Sequence, residues 1–179
     1  KGDFTIYTNT TDLTATAENV KKTYDGNAYG IEVVPSLEDA TIRFWNEETE
    51  AYDLEQSPTR TNVGTTTVKY EVSKTGYETV TGEATITISE RPVTIKVADA
   101  SKPYGTKDPT FAASQIEGLV KGSDLGEVKV YRTNDAEDVD TYKDVLDVTY
   151  TKNENYTVTV DKGDFTIYTN TTDLTATAE

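Results

Sequence analysis

The sequence predicts an all-β protein made of two tandem small modules. Short segments alternate apolar residues with threonine or charged residues, which is the period of a half-buried strand. No long stretch has the period of a helix, and Gly, Asn, Asp and Pro separate the alternating segments. These segments are Leu13–Ala17, Thr67–Val72, Ala84–Ile88, Val93–Val97, Glu127–Tyr131, Tyr156–Val160 and Phe165–Tyr168.

In chain order, each predicted module opens with a strand that runs into a tyrosine–glycine turn, and closes with a threonine-rich strand. Glycine suits such a turn because it adopts positive φ angles without strain. The structural turn residues are Tyr24, Asp25 and Gly26 in the first module, and Tyr104 and Gly105 in the second. We prefer an Ig-like sandwich for both modules.

One segment of the second module leaves an alternative open. Ser114–Leu125 is the best candidate for a short helix, although Gly118 and Gly122 weaken it. A β-grasp-like sheet that carries this helix is therefore the alternative fold for the second module.

A long internal repeat joins the two ends of the sequence. The first eighteen residues, Lys1–Glu18, return without a change at Lys162–Glu179. A fold constrains the hydrophobic pattern and the turn residues rather than every surface threonine, so this identity does not arise from structural convergence. We expect a parent protein of head-to-tail units, each 161 residues long.

A shorter repeat divides this unit into halves. Tyr104 follows Tyr24 by 80 residues, and Lys102 follows Lys22 by the same interval. Further along, Asn62–Thr65 matches Asp138–Thr141, and Gly82–Ile86 matches Gly163–Ile167. The two predicted modules are therefore related to each other.

The repeats predict four parts of the chain. Residues 1–10 are an orphan closing strand of a preceding repeat, 11–90 the first module, 91–170 the second, and 171–179 the start of the next repeat. Pro92 biases Arg91 toward extended geometry, so we expect the modules to lie end to end, spanning roughly 70 Å. Residues 1–8 and 173–179 should make few contacts with their own modules, and neighbouring molecules should hold them.

Composition excludes several kinds of chemistry. The chain has no cysteine, methionine or histidine, which removes disulfides, thiol nucleophiles and His-based catalytic triads. We therefore predict no enzyme and no cofactor. The net charge of −15 argues against nucleic acid and anionic membranes as partners, and no segment predicts membrane insertion.

The residues of both halves resemble a known family. ADASKPYGTKDPTF, EGLVKGSDLGEVKVYRTNDAEDVDTY and ENYTVTVDKGDFTI, within Ala98–Ile167, are similar to the YGX type of the MBG module of bacterial surface proteins. KTYDGNAYG, RTNVGTTTVKYEV and GYETVTGEATITI in the first half are similar to its YDG type. The resemblance implies an extracellular, wall- or surface-attached adhesin-like protein without known catalysis.

Three side-chain patterns are candidate sites, and each has a simpler interpretation. An acidic loop could hold Ca²⁺ through carboxylate oxygens, but it lacks the features of an EF-hand, and a solvated loop explains it as well. Its acidic residues are Asp135, Glu137, Asp138 and Asp140. Trp45 and the twelve tyrosines could stack on sugars, although strand and turn positions suit them structurally. No spacing identifies a Lys–Asn or Lys–Asp amide crosslink.

These observations favour an extended stalk or spacer repeat of a bacterial cell-surface adhesin, with neighbouring repeats as its partners. The alternative is a binding module that engages host glycans or mucin many times weakly, because repetition also raises avidity.

Overall fold

The computed structural model describes residues 2–6 and 13–171, and the chain divides into two compact units, Lys1–Glu90 and Arg91–Glu179. The first unit contains β1 (Ala15–Ala17), β2 (Val20–Thr23), β3 (Val33–Pro35), β4 (Thr41–Asn46), β5 (Ala51–Leu54), β6 (Gly64–Ser73) and β7 (Val80–Ser89). The second contains β8 (Arg91–Val97), β9 (Ala100–Pro103), β10 (Ala113–Glu117), β11 (Lys129–Arg132), β12 (Asp140–Thr149), β13 (Tyr156–Asp161) and β14 (Gly163–Tyr168).

The first unit is a five-stranded sheet with a short two-stranded sheet packed over it. The strand order of the large sheet is β2-β7-β6-β4-β5, and β1 pairs with β3. Alternate residues of β6 and β7 point inward, so that Val68, Val72, Ile86 and Ile88 are buried while their neighbours are not. Residues from the small sheet, including Val33, join the same core.

The second unit consists of two sheets that share a buried interior. The order of one sheet is β10-β8-β13, and the order of the other is β11-β12-β14-β9. Val93 and Ile95 of β8 are buried at every second position, as are Phe165 and Ile167 of β14. The period-two pattern that predicted the strands is therefore also the pattern that builds this core.

In each unit, a strand near the beginning pairs in parallel with one near the end. β2 lies beside β7 in the first unit. In the second unit, β8 lies beside β13 and β9 lies beside β14. Parallel neighbours require a long crossover connection, and here most of the unit forms that crossover.

The all-β prediction is confirmed, since no helix occurs among the described residues 2–6 and 13–171. The Ig-like topology and the end-to-end arrangement stay predictions. The alternative helix at Ser114–Leu125 is wrong: Ala113–Glu117 is β10, and turns follow. Gly118 has a φ of +97°, and its carbonyl accepts a hydrogen bond from Arg91 Nε at 2.6 Å, so the chain turns where a helix would continue.

Residues that match in sequence occupy equivalent ladder positions in the two units. Thr65 of β6 faces Thr87, with the hydroxyl oxygens 3.2 Å apart. Thr141 of β12 faces Thr166 in the same way, at 3.1 Å. The match of Asn62–Thr65 with Asp138–Thr141 therefore reflects a real structural equivalence.

The other sequence match is displaced by two residues. Lys22 pairs with Ile88, and Lys102 pairs with Ile167, so Ile88 is the counterpart of Ile167. The sequence match of Gly82–Ile86 with Gly163–Ile167 had instead aligned Ile86 with Ile167. A shift of two preserves the buried face of a strand, which is why the pattern alone did not reveal the error.

Candidate functional site

The two predicted turns sit at the same place in their units, directly after β2 and β9. Gly26 and Gly105 have φ angles of 81° and 79°, a region that glycine adopts without steric strain. The Tyr24 amide donates to the Ser89 carbonyl at 2.9 Å, and the Tyr104 amide donates to the Tyr168 carbonyl at 2.8 Å. Each turn thus fixes the end of an edge strand against the closing strand of its unit.

The two tyrosine side chains differ despite their shared backbone role. Tyr24 packs against the core of the first unit, whereas Tyr104 is 52% exposed. The tyrosine is therefore a packing residue in the first unit and a surface residue in the second.

Hydrogen bonds within the turn organise the first site. Asp25 accepts from the Asn27 amide at 2.9 Å and from the Tyr29 hydroxyl. The hydrogen bond from Tyr29 is the main cause that lowers the pKa of the Asp25 carboxyl and raises the pKa of Tyr29. Lys22 stays at the surface, with its ammonium 5.4 Å from the centre of the Tyr29 ring.

The counterpart of Lys22 in the second unit is buried in a charge network. Lys102 is only 4% exposed, and its Nζ lies 2.8 Å from Asp108 Oδ1 and 2.5 Å from Glu137 Oε2. Arg132 joins the same two acids, through Nε to Asp108 Oδ2 at 3.1 Å and Nη2 to Glu137 Oε1 at 2.6 Å. Two cations therefore alternate with two carboxylates, and each acid is held by both cations.

The aromatic ring of Phe165 lies beside this network, and a second ring, that of Phe111, packs against it. The ring of Phe165 on β14 lies 5.9 Å from Lys102 Nζ and 4.9 Å from the Arg132 guanidinium carbon. Phe111 packs edge-on against Phe165, with ring centres 5.6 Å apart. Aromatic faces attract cations, so the network is fixed to the core as well as to its acids. We call Lys102, Asp108, Arg132 and Glu137 the turn clamp.

The electrostatics of the turn clamp favour fully charged groups. Hydrogen bonds from Lys102 and then Arg132 lower the pKa of Glu137. Hydrogen bonds to Asp108 and Glu137 raise the pKa of Lys102. A nucleophilic lysine needs a depressed pKa, and an amide crosslink needs a neutral amine, so this geometry stabilises an ion network rather than activating Lys102.

Sequence reasoning missed the turn clamp because its members are far apart along the chain. Lys102 and Glu137 are separated by 35 residues. The one available signal was the lysine two residues before each turn tyrosine, which recurs in both halves. That signal marks a position rather than a role, since Lys22 is exposed and Lys102 is buried.

The acidic loop does not assemble into a cation site. Glu137 is occupied by Lys102 and Arg132, Asp140 accepts from the Thr141 amide, and Asp135 and Asp138 are exposed. Across residues 2–6 and 13–171, no group of three acidic side chains could hold a metal ion. The predicted candidates therefore belong to different local interactions.

The predicted aromatic site is a pair of rings on neighbouring strands. Trp45 of β4 and Tyr52 of β5 meet edge-on, with centres 5.1 Å apart and planes at 71°. Lys69, from the outward-facing side of β6, lies 5.8 Å from the Trp45 ring centre. The rings are thus on the outer face of the large sheet, opposite the side that carries Val68 and Tyr70.

Comparison with protein families assigns the second unit. Residues 93–166 match the family described as MBG domain (YGX type), a span that runs from β8 to β14. The second unit is therefore an MBG domain of the YGX type, as its resemblance predicted. A search of curated proteins found no match. Within the part of the chain that the structure describes, no helix is long and apolar enough to cross a membrane.

Proposed function

We propose that this chain is an extended stalk or spacer repeat of a bacterial cell-surface adhesin, located outside the cell and attached to its wall or surface. Its partners in this proposal are neighbouring repeats, and it has neither a catalytic role nor a cofactor. The MBG domain and the repeated termini support this reading. The observation that carries it is the parallel pairing of a strand near the beginning of each unit with a strand near its end.

Parallel terminal strands resist tension in a specific way. In a stalk, force enters each unit at its N-terminal end and leaves at its C-terminal end, so it pulls the early and the late strands of the unit in opposite directions. When two such strands run parallel, they must slide past each other, so that every hydrogen bond between them is loaded together. β8 and β13 share six consecutive register pairs from Arg91–Tyr156 to Lys96–Asp161, which makes the second unit suited to bearing force.

Pulling the same chain in two directions tests this geometry. The sequence has no cysteine, so Glu90→Cys with Asp161→Cys defines a shearing attachment across β8 and β13. Glu90→Cys with Glu154→Cys instead places both attachment points at the neighbouring N-terminal ends of β8 and β13, where the Arg91 amide donates to the Asn155 carbonyl. Force applied there separates the two strands one hydrogen bond at a time.

We expect the shearing attachment to require a clearly higher unfolding force at equal loading rate, because forced unfolding follows the unfolding barrier in that direction. Equal forces for the two attachments would remove the structural basis of the stalk proposal.

The second candidate function is multivalent binding of host glycans or mucin. The outward-facing Trp45–Tyr52 pair favours it, because an aromatic face stacks on a sugar ring. The edge-on geometry, with planes at 71°, offers no coplanar platform, so we rank it second. A glycan array with the full chain and the Trp45→Ala variant separates the two. Binding that disappears in the variant would support the glycan module and overturn a pure spacer role.

A further inference from the structure

The closing strand of the second unit occupies a narrow slot between two neighbours. β14 runs antiparallel to β12 and parallel to β9. Phe165 is fully buried there, and Ile167 is 1% exposed. Gly163 lies so close to the backbone after β8 that an added Cβ would lie 2.8 Å from the Ala98 carbonyl oxygen. The slot therefore demands Gly, then Phe, then Ile at alternate positions.

The segment Gly2–Ile6 carries the same sequence, GDFTI, in a different environment. Phe4 is 88% exposed and Ile6 is 82% exposed, although the identical residues of β14 belong to the core. Gly2 has nothing within 4 Å of an added Cβ. Two large apolar side chains are thus presented to solvent in the order that the slot accepts.

The polar contacts of β14 are also available to this segment. Asp164 accepts from Lys143 Nζ at 2.5 Å and from the Asp144 amide at 3.1 Å, and Asp3 has the same side chain. Thr166 faces Thr141 with oxygens 3.1 Å apart, and Thr5 stands at that place in the copy. The side chains of β14 that make these contacts, an aspartate and a threonine, therefore recur in the N-terminal segment.

We propose that residues 2–6 of one copy of this chain are an alternative closing strand for the slot of a second copy, which they fill when that copy's β14 is displaced. The native β14 holds the slot because it is tethered beside it, at a high effective concentration. The exchanged contact joins different surfaces of the two copies, so it is open and extends head to tail.

Displacing β14 in the full chain tests the proposal. Phe165→Ser with Ile167→Ser weakens the resident strand and leaves Phe4 and Ile6 intact. We expect this chain to form oligomers whose mass rises with concentration in analytical ultracentrifugation, whereas the unsubstituted chain keeps its slot filled and remains a monomer. A displaced-strand variant that stays monomeric and gives no crosslink, as defined below, overturns the proposal.

A matched control separates strand exchange from sticking of an exposed core. Adding Phe4→Ser and Ile6→Ser to the same variant removes the donor strand, and we expect the oligomers to disappear. Oligomers of unchanged size in this control would overturn the proposal.

Disulfide trapping identifies the contact itself. In the displaced-strand variant, Thr5→Cys and Thr141→Cys should form a disulfide between two chains, because Thr5 replaces Thr166 opposite Thr141. Thr5→Cys with Thr65→Cys, which lies in the first unit, is the control and should not crosslink. A Thr5–Thr141 disulfide confined to single chains would show that the occupant is not a second copy, and would overturn the proposal.

Discussion

At the residue scale, the turn clamp shows how one position can take opposite roles in two related modules. Lys22 and Lys102 both pair with a buried-face isoleucine of the closing strand. Lys22 is exposed beside Tyr29, whereas Lys102 is enclosed by two acids and lies near Phe165. A buried ammonium persists because both acids and an aromatic face replace its hydration.

This contrast gives a paired prediction. Lys102→Ala should lower the thermal midpoint of the second unit, because it leaves Asp108 and Glu137 with one cation between them. Lys22→Ala should change stability little, because Lys22 is exposed. Circular dichroism of the full chain reports both units, and the fluorescence of Trp45, the only tryptophan, identifies the transition of the first, so that the remaining transition belongs to the second. Equal shifts for the two variants would contradict the assigned roles.

A second residue-scale prediction concerns Gly118, which ends β10. At its φ of +97°, an alanine would be strained by about 1–3 kcal/mol, and its Cβ would overlap the Pro92 carbonyl oxygen. Gly122→Ala is the control, since nothing lies within 4 Å of an added Cβ, and we expect a change within about 0.5 kcal/mol. Denaturant unfolding measures the free energy of unfolding of both variants. An unchanged value for Gly118→Ala would contradict the prediction.

At the element scale, the same sequence occurs at the two ends of the chain in two different environments, and it forms a strand only in β14 among the described residues. FTI is exposed at Phe4–Ile6 and buried at Phe165–Ile167. Strand propensity and alternation are the same in both, so the difference arises from the neighbours that each copy meets. A strand in this protein is therefore defined by its slot as much as by its own residues.

The prediction for this scale compares one substitution at two places. Phe165→Ala should destabilise the second unit by about 3–5 kcal/mol, the usual effect of truncating a buried phenylalanine. Phe4→Ala removes the same atoms from an exposed ring and should change stability by less than about 0.5 kcal/mol. Chemical denaturation followed by circular dichroism measures both free energies. A large loss from Phe4→Ala would show that the N-terminal segment belongs to the first unit.

The strands could be predicted from sequence wherever burial of one face places an apolar residue at every second position. All seven alternating segments contain strand residues, because burial on one face imposes that period. The short strands β3, β5 and β9 have too few residues to show a period. The partner of β9 is β14, at the other end of the unit. The helix at Ser114–Leu125 failed because a tertiary contact of Gly118 outweighed local propensity.

The candidate sites were less predictable, for the same physical reason. Turn glycines follow from local backbone geometry, so Gly26 and Gly105 could be named in advance. The turn clamp joins residues that the fold brings together across a sheet, and no local pattern encodes that meeting. Glu137 was a candidate Ca²⁺ ligand with a solvated loop as the simpler interpretation, and in the structure its partners are Lys102 and Arg132.

At the scale of the whole molecule, carboxylates held by hydrogen bonds occur in both units. Their pKa values are lowered below the ordinary 3.8 for Asp and 4.5 for Glu. The groups and their main causes are Asp25 (the Tyr29 hydroxyl), Asp53 (the Thr49 hydroxyl), Glu137 (Lys102), Asp147 (Lys162) and Asp164 (Lys143). For these five carboxyls, folding therefore favours the ionised form.

Folding raises the pKa of three lysines, so their contribution to stability has the opposite pH dependence. The amines of Lys102, Lys143 and Lys162 are raised above their ordinary 10.5, chiefly by hydrogen bonds to carboxylates. Stability from a raised pKa is present below the ordinary value and is lost as the pH rises through the folded-state value. We expect the free energy of unfolding to decline only above about pH 10 on the alkaline side.

The lowered carboxyl pKa values predict that the protein loses stability at acid pH. A lowered carboxyl pKa contributes stability above its ordinary value, and that contribution is lost as the pH falls through the folded-state value. Relief of self-repulsion from the net charge of −15 is complete near the pI of 4.3, so below about pH 4 nothing offsets the loss. Denaturant midpoints measured from pH 7 to pH 2 should therefore fall below pH 4 in both units. Glu137→Gln should flatten the fall in the second unit and leave the Trp45 signal unchanged, and stability that increased below pH 4 would contradict the assignment of these carboxylates.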